Sequence, residues 1–478
     1  QLDAFGLKPA RLKIAAREVR IFGRDAHMAH RRRIFIGQAR RLGDRQATMA
    51  DIEVDRRIQL GIAEFLHHIG PHDADLRRAM GDEGRHVEAD MGERVAEDAE
   101  TGEQEEIAER AGVKRVIKSK SMVSEEMGIN PALEGAGIEP VETDLGEYII
   151  QLAGETPFHI IAPAMHKTRQ EVSDLFQDWL KTAPTDDIKR LCVIARDALR
   201  EKFEAADMGI SGANFVVAET GTVVLVTNEG NGRMTTSVPR VHVAISGMEK
   251  ILPAMEDLPL FLRLLPRSAT GQRITSYNTF VGGPRAASDE DGPEEFHLIL
   301  VDNGRLNLLK DEVLREALNC IRCGACLNYC PVYGAIGGHA YGWVYPGPVG
   351  AVLTPNLVGL KDAHHLPNAS TFCGRCEEVC PMRIPLPGLM RRWREQEFDA
   401  GLQAPRYRVG LALWAWLVRH PASYRLSSAV LIRAMRLLGA RRGRIARLPF
   451  ARGWTMGRDM PAPEGGSFHS KWRRRGRV

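Results

Sequence analysis

The rhythm of apolar and polar positions changes three times along the chain, and each change marks a region. Residues 1–110 sustain neither a 3.6-residue nor a two-residue period: HMAHRRR, HHIGPHDADLRRAMGDEGRH and EDAETGEQEE give no stripe and no alternation. Weakly packed helices and loops, or disorder, are expected there. From residue 111 short β-branched runs alternate with amphipathic stretches. VKRVIKS, IEPVETD and HIIAPA read as strands, and SEEMGINPALEGAG and TRQEVSDLFQDWLK as helices, the first closing on a glycine-rich stop. Such alternation predicts an α/β domain with a largely parallel sheet over residues 111–305. Within it ANFVVAETGTVVLVTNEGN places two β-branched runs around Glu219, Thr220 and Gly221, which suits a hairpin, and VHVAISG and HLILVDNG continue the strands.

Residues 306–390 open with a helical approach, LLKDEVLREALN, and then carry seven of the eight cysteines. The stretch between the two cysteine groups, GAIGGHAYGWVYPGPVG, is too rich in Gly and Pro for a long regular element. It reads as a loop wrapped around something other than a large apolar core. Residues 391–478 return to helical spacing, with Trp414, Trp416 and Leu417 set against repeated arginines, before a polar tail.

At 478 residues the chain exceeds one ordinary core, so several domains are expected. Hydrophobic residues at 44% and charged residues at 26% are ordinary for a globular protein. The longest apolar run, VGLALWAWLV, is about half of the roughly 18 to 20 residues that a membrane span needs. The start, QLDAFGLKPARLK, shows no secretory signal, which favours a cytoplasmic protein. It also has no initiator methionine, and an incomplete start is left open. The net charge of +4 hides an asymmetry: residues 391–478 hold 20 Lys or Arg against 5 Asp or Glu, about +15, which leaves about −11 for the rest. That tail should seek an acidic surface, whether the chain's own remainder, a partner subunit or anionic lipid. Docking on the remainder, with the tryptophans as core, is preferred over a membrane-peripheral role. Nucleic-acid binding is not expected, since no recognition fold accompanies the RRRGR end.

Cys320, Cys323, Cys326 and Cys330, followed by Pro331, form a C-x2-C-x2-C-x3-C-P run, the spacing of bacterial-type [4Fe-4S] ferredoxins. Two-residue gaps let one tight loop present three thiolates to one cubane, and Gly324 relieves crowding beside it. The fourth cysteine of such a run serves the other cluster. Cys373, Cys376 and Cys380, followed by Pro381, repeat the ending, with Ser370 where a first cysteine would stand. The crossed rule gives one cluster Cys320, Cys323, Cys326 and Cys380. It gives the second Cys330, Cys373 and Cys376, and leaves one iron for Ser370, another residue, a partner, water or substrate. Structural zinc uses paired C-x2-C motifs, yet rarely four cysteines in one such run. Disulfides fit less well without a secretory signal. Cys192 reads as a buried small apolar residue. His27, His30, His67, His68, His72 and His86 are too irregularly spaced, and too far from any cysteine, for a zinc site.

These motifs, together with KSKSMVSEEMGINPALEGAGIEPVETDLGEYIIQLAGETPFHIIAPAMHK and the terminal GWTMGRDMPAPEGGSF, resemble the lactate utilization protein B family from residue 111 to the C-terminus. The resemblance implies a LUD domain, similar in fold to isomerase and CoA-transferase-like α/β proteins, then a ferredoxin-like α-helical module for two [4Fe-4S] clusters, then a basic helical C-terminal domain. It also implies a role in oxidising L-lactate to pyruvate with two companions, a cysteine-rich-repeat protein and a small LUD-domain protein, and an unidentified electron acceptor. Residues 1–110 depart from the family pattern.

Within the α/β domain Lys118, Ser119 and Lys120 follow a strand, where open sheets bind ligands, and could hold a carboxylate or phosphate. His166 is a titratable group after a strand. Asp144 reads as a helix cap near Glu147, and Glu219, Asn228, Asn231 and Arg233 sit in polar turns. Of these, Lys118, Lys120, His166 and Glu219 are the candidates for catalysis. Neither GxGxxG after a strand nor a P-loop is present, so a nicotinamide or flavin dehydrogenase has no support. The preferred reading is an electron-transfer subunit. A catalytic subunit that binds lactate at the LUD pocket or at the incompletely ligated cluster is the alternative, and a membrane-peripheral adaptor the third.

Overall fold

The computed structural model describes residues 107–448 and 455–475, and the backbone of three short strands before them. One of these is β1 (Glu18–Phe22). The expectations for residues 1–106 otherwise lie outside the described residues.

The α/β region is built on a six-stranded, all-parallel sheet. Its members are β1, β2 (Arg115–Lys118), β3 (Glu139–Glu142), β4 (Met208–Gly212), β7 (Val241–Gly247) and β10 (Glu295–Val301), in the order β1-β10-β7-β4-β2-β3. Strands β7 and β10 are apolar almost throughout because both faces are covered. The SEEMGINPALEGAG segment forms two helices, α1 (Met122–Glu126) and α2 (Ile129–Gly135), because Gly128 between them takes φ +64°. Next come α3 (Leu145–Ala153), capped by Asp144 as expected, α4 (Arg169–Leu180), α5 (Ile188–Glu204), α6 (Asn231–Ser237) and α7 (Leu258–Thr270). The expected hairpin is present as β5 (Phe215–Val217) and β6 (Thr222–Thr227). It is extended by β8 (Ile251–Leu252) and β9 (Tyr277–Val281) into a second sheet.

Two expectations are corrected here. HIIAPA is not a strand: His159 turns its Nδ1 onto the N–H groups of Ile161 and Ala162, at 3.1 and 3.3 Å, and that local bonding replaces a ladder. Cys192 is exposed, on the face of α5 opposite Leu191, Ile194 and Ala195.

The chain enters the cysteine region through α8 (Arg305–Lys310) and a 3-10 turn, Leu314–Asn319. The region holds α9 (Ala325–Asn328), α10 (Pro331–Ile336), α11 (Gly347–Leu357), α12 (Arg375–Glu378) and α13 (Leu386–Asp399). Contrary to expectation, the Gly/Pro-rich stretch wraps a large apolar core. Tyr333, Tyr341 and Tyr345 pack with Leu327, Val352 and Trp393, and α11 is buried on nearly every side. Gly350 permits this, since a Cβ there would overlap the Tyr345 carbonyl.

Residues 397–478 form a separate compact unit. It contains α14 (Pro405–Arg419), α15 (Pro421–Gly439), a short hairpin of Arg444–Ile445 with Met460–Pro461, and α16 (Phe468–Arg475). Trp414 and Trp416 are exposed, not core. No described helix is long and apolar enough to cross a membrane.

Candidate metal centre

The two cysteine motifs fold as the same backbone device. In the first, Arg322 takes φ +61° and Gly324 φ +73°, and α9 starts at once. In the second, Phe372 takes φ +54° and Gly374 φ +81°, and α12 starts at once. These left-handed residues reverse the chain within each C-x2-C gap, so that successive side chains converge on one point. Only glycine fits at residue 324, where a Cβ would stand 3.0 Å from Ile161 Cγ1 and 3.3 Å from His159 Cε1.

All seven cysteines of the motifs are free thiols. Cys320, Cys323 and Cys326 of the first motif line one cavity together with Cys380 of the second. Ile160, Val349, Ile384 and Leu386 complete the walls, and the hollow holds about 380 Å³, part of it continuous with solvent. Cys330, the last cysteine of the first motif, does not line that cavity, and its charge and that of Cys373 bear on Cys376. Cys376 in turn bears on Cys326, so the second group of thiols adjoins the first.

Burial pushes the Cys323 and Cys376 thiols up to about 11 and the Cys326 thiol well above its ordinary value, with neighbouring cysteines adding to each rise. Such thiols ionise only against a bound cation. Backbone N–H groups already point at sulfur: Arg322 N–H donates to Cys320 Sγ at 3.4 Å and Tyr333 N–H to Cys330 Sγ at 3.5 Å. Four thiolates at about 2.3 Å from one zinc ion would stand about 4 Å apart. The two ligand groupings within 4.8 Å among the described residues are Glu155, His166, His339 and Glu125, Glu142, Glu147; neither contains a cysteine. No three of the cysteine thiols lie mutually within 4.8 Å, a spacing wider than a single zinc ion would hold, which suits a multi-iron cluster better than a single ion.

Sequence reasoning missed what fixes the first site. Glu249 accepts from Arg305 Nε at 2.6 Å and from Arg322 Nη2 at 2.9 Å, and Arg305 makes a two-pronged pair with Glu126 at 2.8 and 2.9 Å. Tyr345 Oη donates to the same Glu126 carboxylate at 2.7 Å. Burial alone would raise Glu249, but the Arg305 and Arg322 guanidiniums hold it down at about 2. Lys250 Nζ donates to the Cys320 carbonyl at 3.1 Å. This network ties the sheet domain to the cysteine loop, and no local pattern announces contacts 179 residues apart.

The other candidates fall at the end of the sheet. Strand β2 pairs with both β3 and β4, so chain order reverses there and the carboxyl ends of β2 and β4 flank a crevice. Lys118 is fully buried in it, 2.6 Å from Glu125 and 2.7 Å from Glu142. Burial would lower its ammonium, yet Glu125, Glu142 and Glu147 hold it above the ordinary lysine value. Lys120 donates to the Ile161 carbonyl, and burial lowers it against the pull of Asp144, Glu147 and Glu229. Burial, then Glu142, push Glu147 up to about 8. Asn231 reaches Thr143 at the rim of the crevice. Ser119 is buried beside Lys118, its N–H given to the Ile210 carbonyl. His166 lies elsewhere, bonded to Glu155 at 2.7 Å and stacked on Phe158, while Glu219 accepts the Met255 N–H at 3.0 Å. Asn228 and Arg233 serve Ser276 and Asp291. The histidine against the cysteine loop is His159, pushed down to about 4, first by burial and then by Lys120.

Family models agree with this division. One described as LUD domain matches residues 95–301, a 4Fe-4S dicluster domain matches 316–384, and a lactate utilisation protein B C-terminal domain matches 403–477. Lactate utilization protein B of Oceanobacillus iheyensis is 44% identical over 387 residues, 78% of each chain. The chain belongs to the lactate utilization protein B family. Its counterpart in Shouchella clausii is 43% identical over 406 residues, 83% of each chain. An Escherichia coli K12 relative, named uncharacterized electron transport protein YkgF, is 44% identical over 367 residues, 76% of this chain and 77% of that one. This member of the lactate utilization protein B family is therefore an iron–sulfur protein of lactate utilization, with a parallel-sheet LUD domain, a 4Fe-4S dicluster region and a helical C-terminal domain.

Proposed function

We propose that the protein is the iron–sulfur electron-transfer subunit of a complex that oxidises L-lactate to pyruvate, and that it holds two [4Fe-4S] clusters. The observation that carries this is the crossing of the motifs at one cavity, where Cys380 joins Cys320, Cys323 and Cys326. The second set is Cys330, Cys373 and Cys376. A bound cluster supplies one-electron transfer. The chain's own residues do the rest: the apolar walls exclude water, the N–H groups of Arg322 and Tyr333 stabilise thiolate charge, and Lys250 and Arg322 place positive charge beside the first site. The two-electron step on lactate then belongs to the companion subunits, the cysteine-rich-repeat protein and the small LUD-domain protein, and electrons leave to a further acceptor.

A second reading places lactate in the crevice at β2 and β4. Proximity favours it: Lys120 bonds Ile161, and the adjacent Ile160 lines the cysteine cavity. Charge opposes it, because Glu125, Glu142, Asp144 and Glu229 outnumber Lys118 and Lys120 and disfavour a carboxylate anion.

The test is to purify the protein without oxygen and record spectra of the oxidised form before and after L-lactate, with and without the two companions. Reduction only with companions supports the conductor; reduction by lactate alone moves catalysis into this chain.

A further inference from the structure

Ser370 stands where the first motif has Cys320, and the structure repeats the backbone bonding of the Cys320 loop around it. Arg322 N–H donates to Cys320 Sγ at 3.4 Å; Phe372 N–H donates to Ser370 Oγ at 3.1 Å. Both donors have φ between +54° and +61°, and both loops continue through a left-handed glycine into a helix of four residues. The first turns match too: Leu327 and Glu377 N–H groups return to Gly324 and Gly374 at 3.0 and 3.1 Å. A cation holds the carbonyl of the leading residue in each loop, Lys250 on Cys320 at 3.1 Å and Arg394 on Ser370 at 3.2 Å. Arg394 also lies 4.1 Å over the Phe372 ring and bonds the Pro367 carbonyl, so the turn that aims Ser370 is fixed from outside.

We propose that Ser370 Oγ is the fourth ligand of the second cluster. The inference rests on the two-cluster reading and deepens it. As the ligand binds, the O–H bond breaks, the proton passes to solvent, an Fe–O bond forms, and no electron is exchanged. An alkoxide is a harder and more basic donor than a thiolate, so it favours the oxidised iron and lowers the potential of its cluster. The neighbouring hydroxyl, Thr371, bonds Cys373 instead and occupies the place of Ile321, which is no ligand.

The test is iron and sulfide content, EPR and a potentiometric titration on the full chain, comparing wild type with Ser370→Cys, Ser370→Ala and Thr371→Ala. The expected result is that Ser370→Cys keeps about eight irons, with one of two reduction waves shifted to higher potential and the other unmoved. Ser370→Ala is expected to fall to about seven irons, with a [3Fe-4S] signal in the oxidised state, or to about four, and Thr371→Ala to keep about eight irons. A cap lost from the turn would lower iron in Ser370→Ala as well, but would not move the wave in Ser370→Cys. A Ser370→Cys wave unchanged from wild type, or a Ser370→Ala protein with about eight irons and wild-type spectra, overturns the assignment and leaves the two-cluster reading standing. About four irons in wild type, or zinc, instead overturns the reading beneath it.

Discussion

The two cysteine sites share a backbone device and differ in almost everything around it. At the first, Cys323 and Cys326 are buried, Ile160 of the sheet domain lines the wall, and Glu249, Arg305 and Glu126 bind the loop to strands far away in sequence. At the second, Cys376 is buried in the main apolar cluster but Cys373 is exposed, Ser370 replaces a cysteine, and the turn is held by one arginine of the adjoining helix α13. Cys323 thus stands in an interior and its counterpart Cys373 at a surface. Spacing sets the loop, while packing sets how far each copy is shielded from solvent.

The sharpest way to break that comparison is to remove one matched cysteine from each site. Cys323→Ala should lower iron from about eight to about four and also reduce the yield of folded protein, since Cys323 is buried in an apolar cluster. Cys373→Ala, at the matching but exposed position, should lose a comparable amount of iron with a smaller loss of folded protein. Equal folding defects would erase the contrast between interior and surface.

Next in size is Glu249→Gln, which leaves Arg322 buried without its carboxylate and Arg305 with Glu126 alone. A loss of about 3 kcal/mol is expected in anaerobic chemical denaturation, with the spectrum of the first cluster perturbed and that of the second unchanged. Glu147→Gln is the control that touches neither site. Glu147 is held at about 8 in the fold against 4.5 for a free carboxyl, so the folded state binds the proton more tightly. The Glu147 contribution to wild-type stability should therefore fall as pH rises from about 4.5 to 8, by up to ~5 kcal/mol, and level off above. The variant should lack that slope, and equal slopes in the two proteins would remove the buried acid from the account. The smallest effect is kinetic: on exposure to air the second site should lose its signal several-fold faster than the first. Equal rates would mean that solvent reaches both alike.

Much of this was legible in the sequence because it is local. The strands VKRVIKS, VHVAISG and HLILVDNG, the hairpin around Gly221, the Asp144 cap and the cysteine spacing each follow from a few adjacent residues. What was hidden depends on distant partners. HIIAPA has the composition of a strand, but Ile160 is claimed by the cysteine cavity and His159 by its own backbone. GWVYPGPVG has the composition of a loop, yet Tyr345 is wholly buried because Glu126 and Arg322 meet it from remote segments. Lys118 is the last residue of β2, and the three carboxylates gathered on it could not be read from spacing.

The central claim is that the two motifs cross, each lending its last cysteine to the other's cluster. Four single variants test it directly by EPR of the reduced proteins: Cys323→Ala, Cys380→Ala, Cys373→Ala and Cys330→Ala. Crossing predicts that Cys380→Ala leaves the same surviving spectrum as Cys323→Ala, and Cys330→Ala the same as Cys373→Ala. If Cys380→Ala instead matches Cys373→Ala, and Cys330→Ala matches Cys323→Ala, each motif holds its own cluster and the account is contradicted.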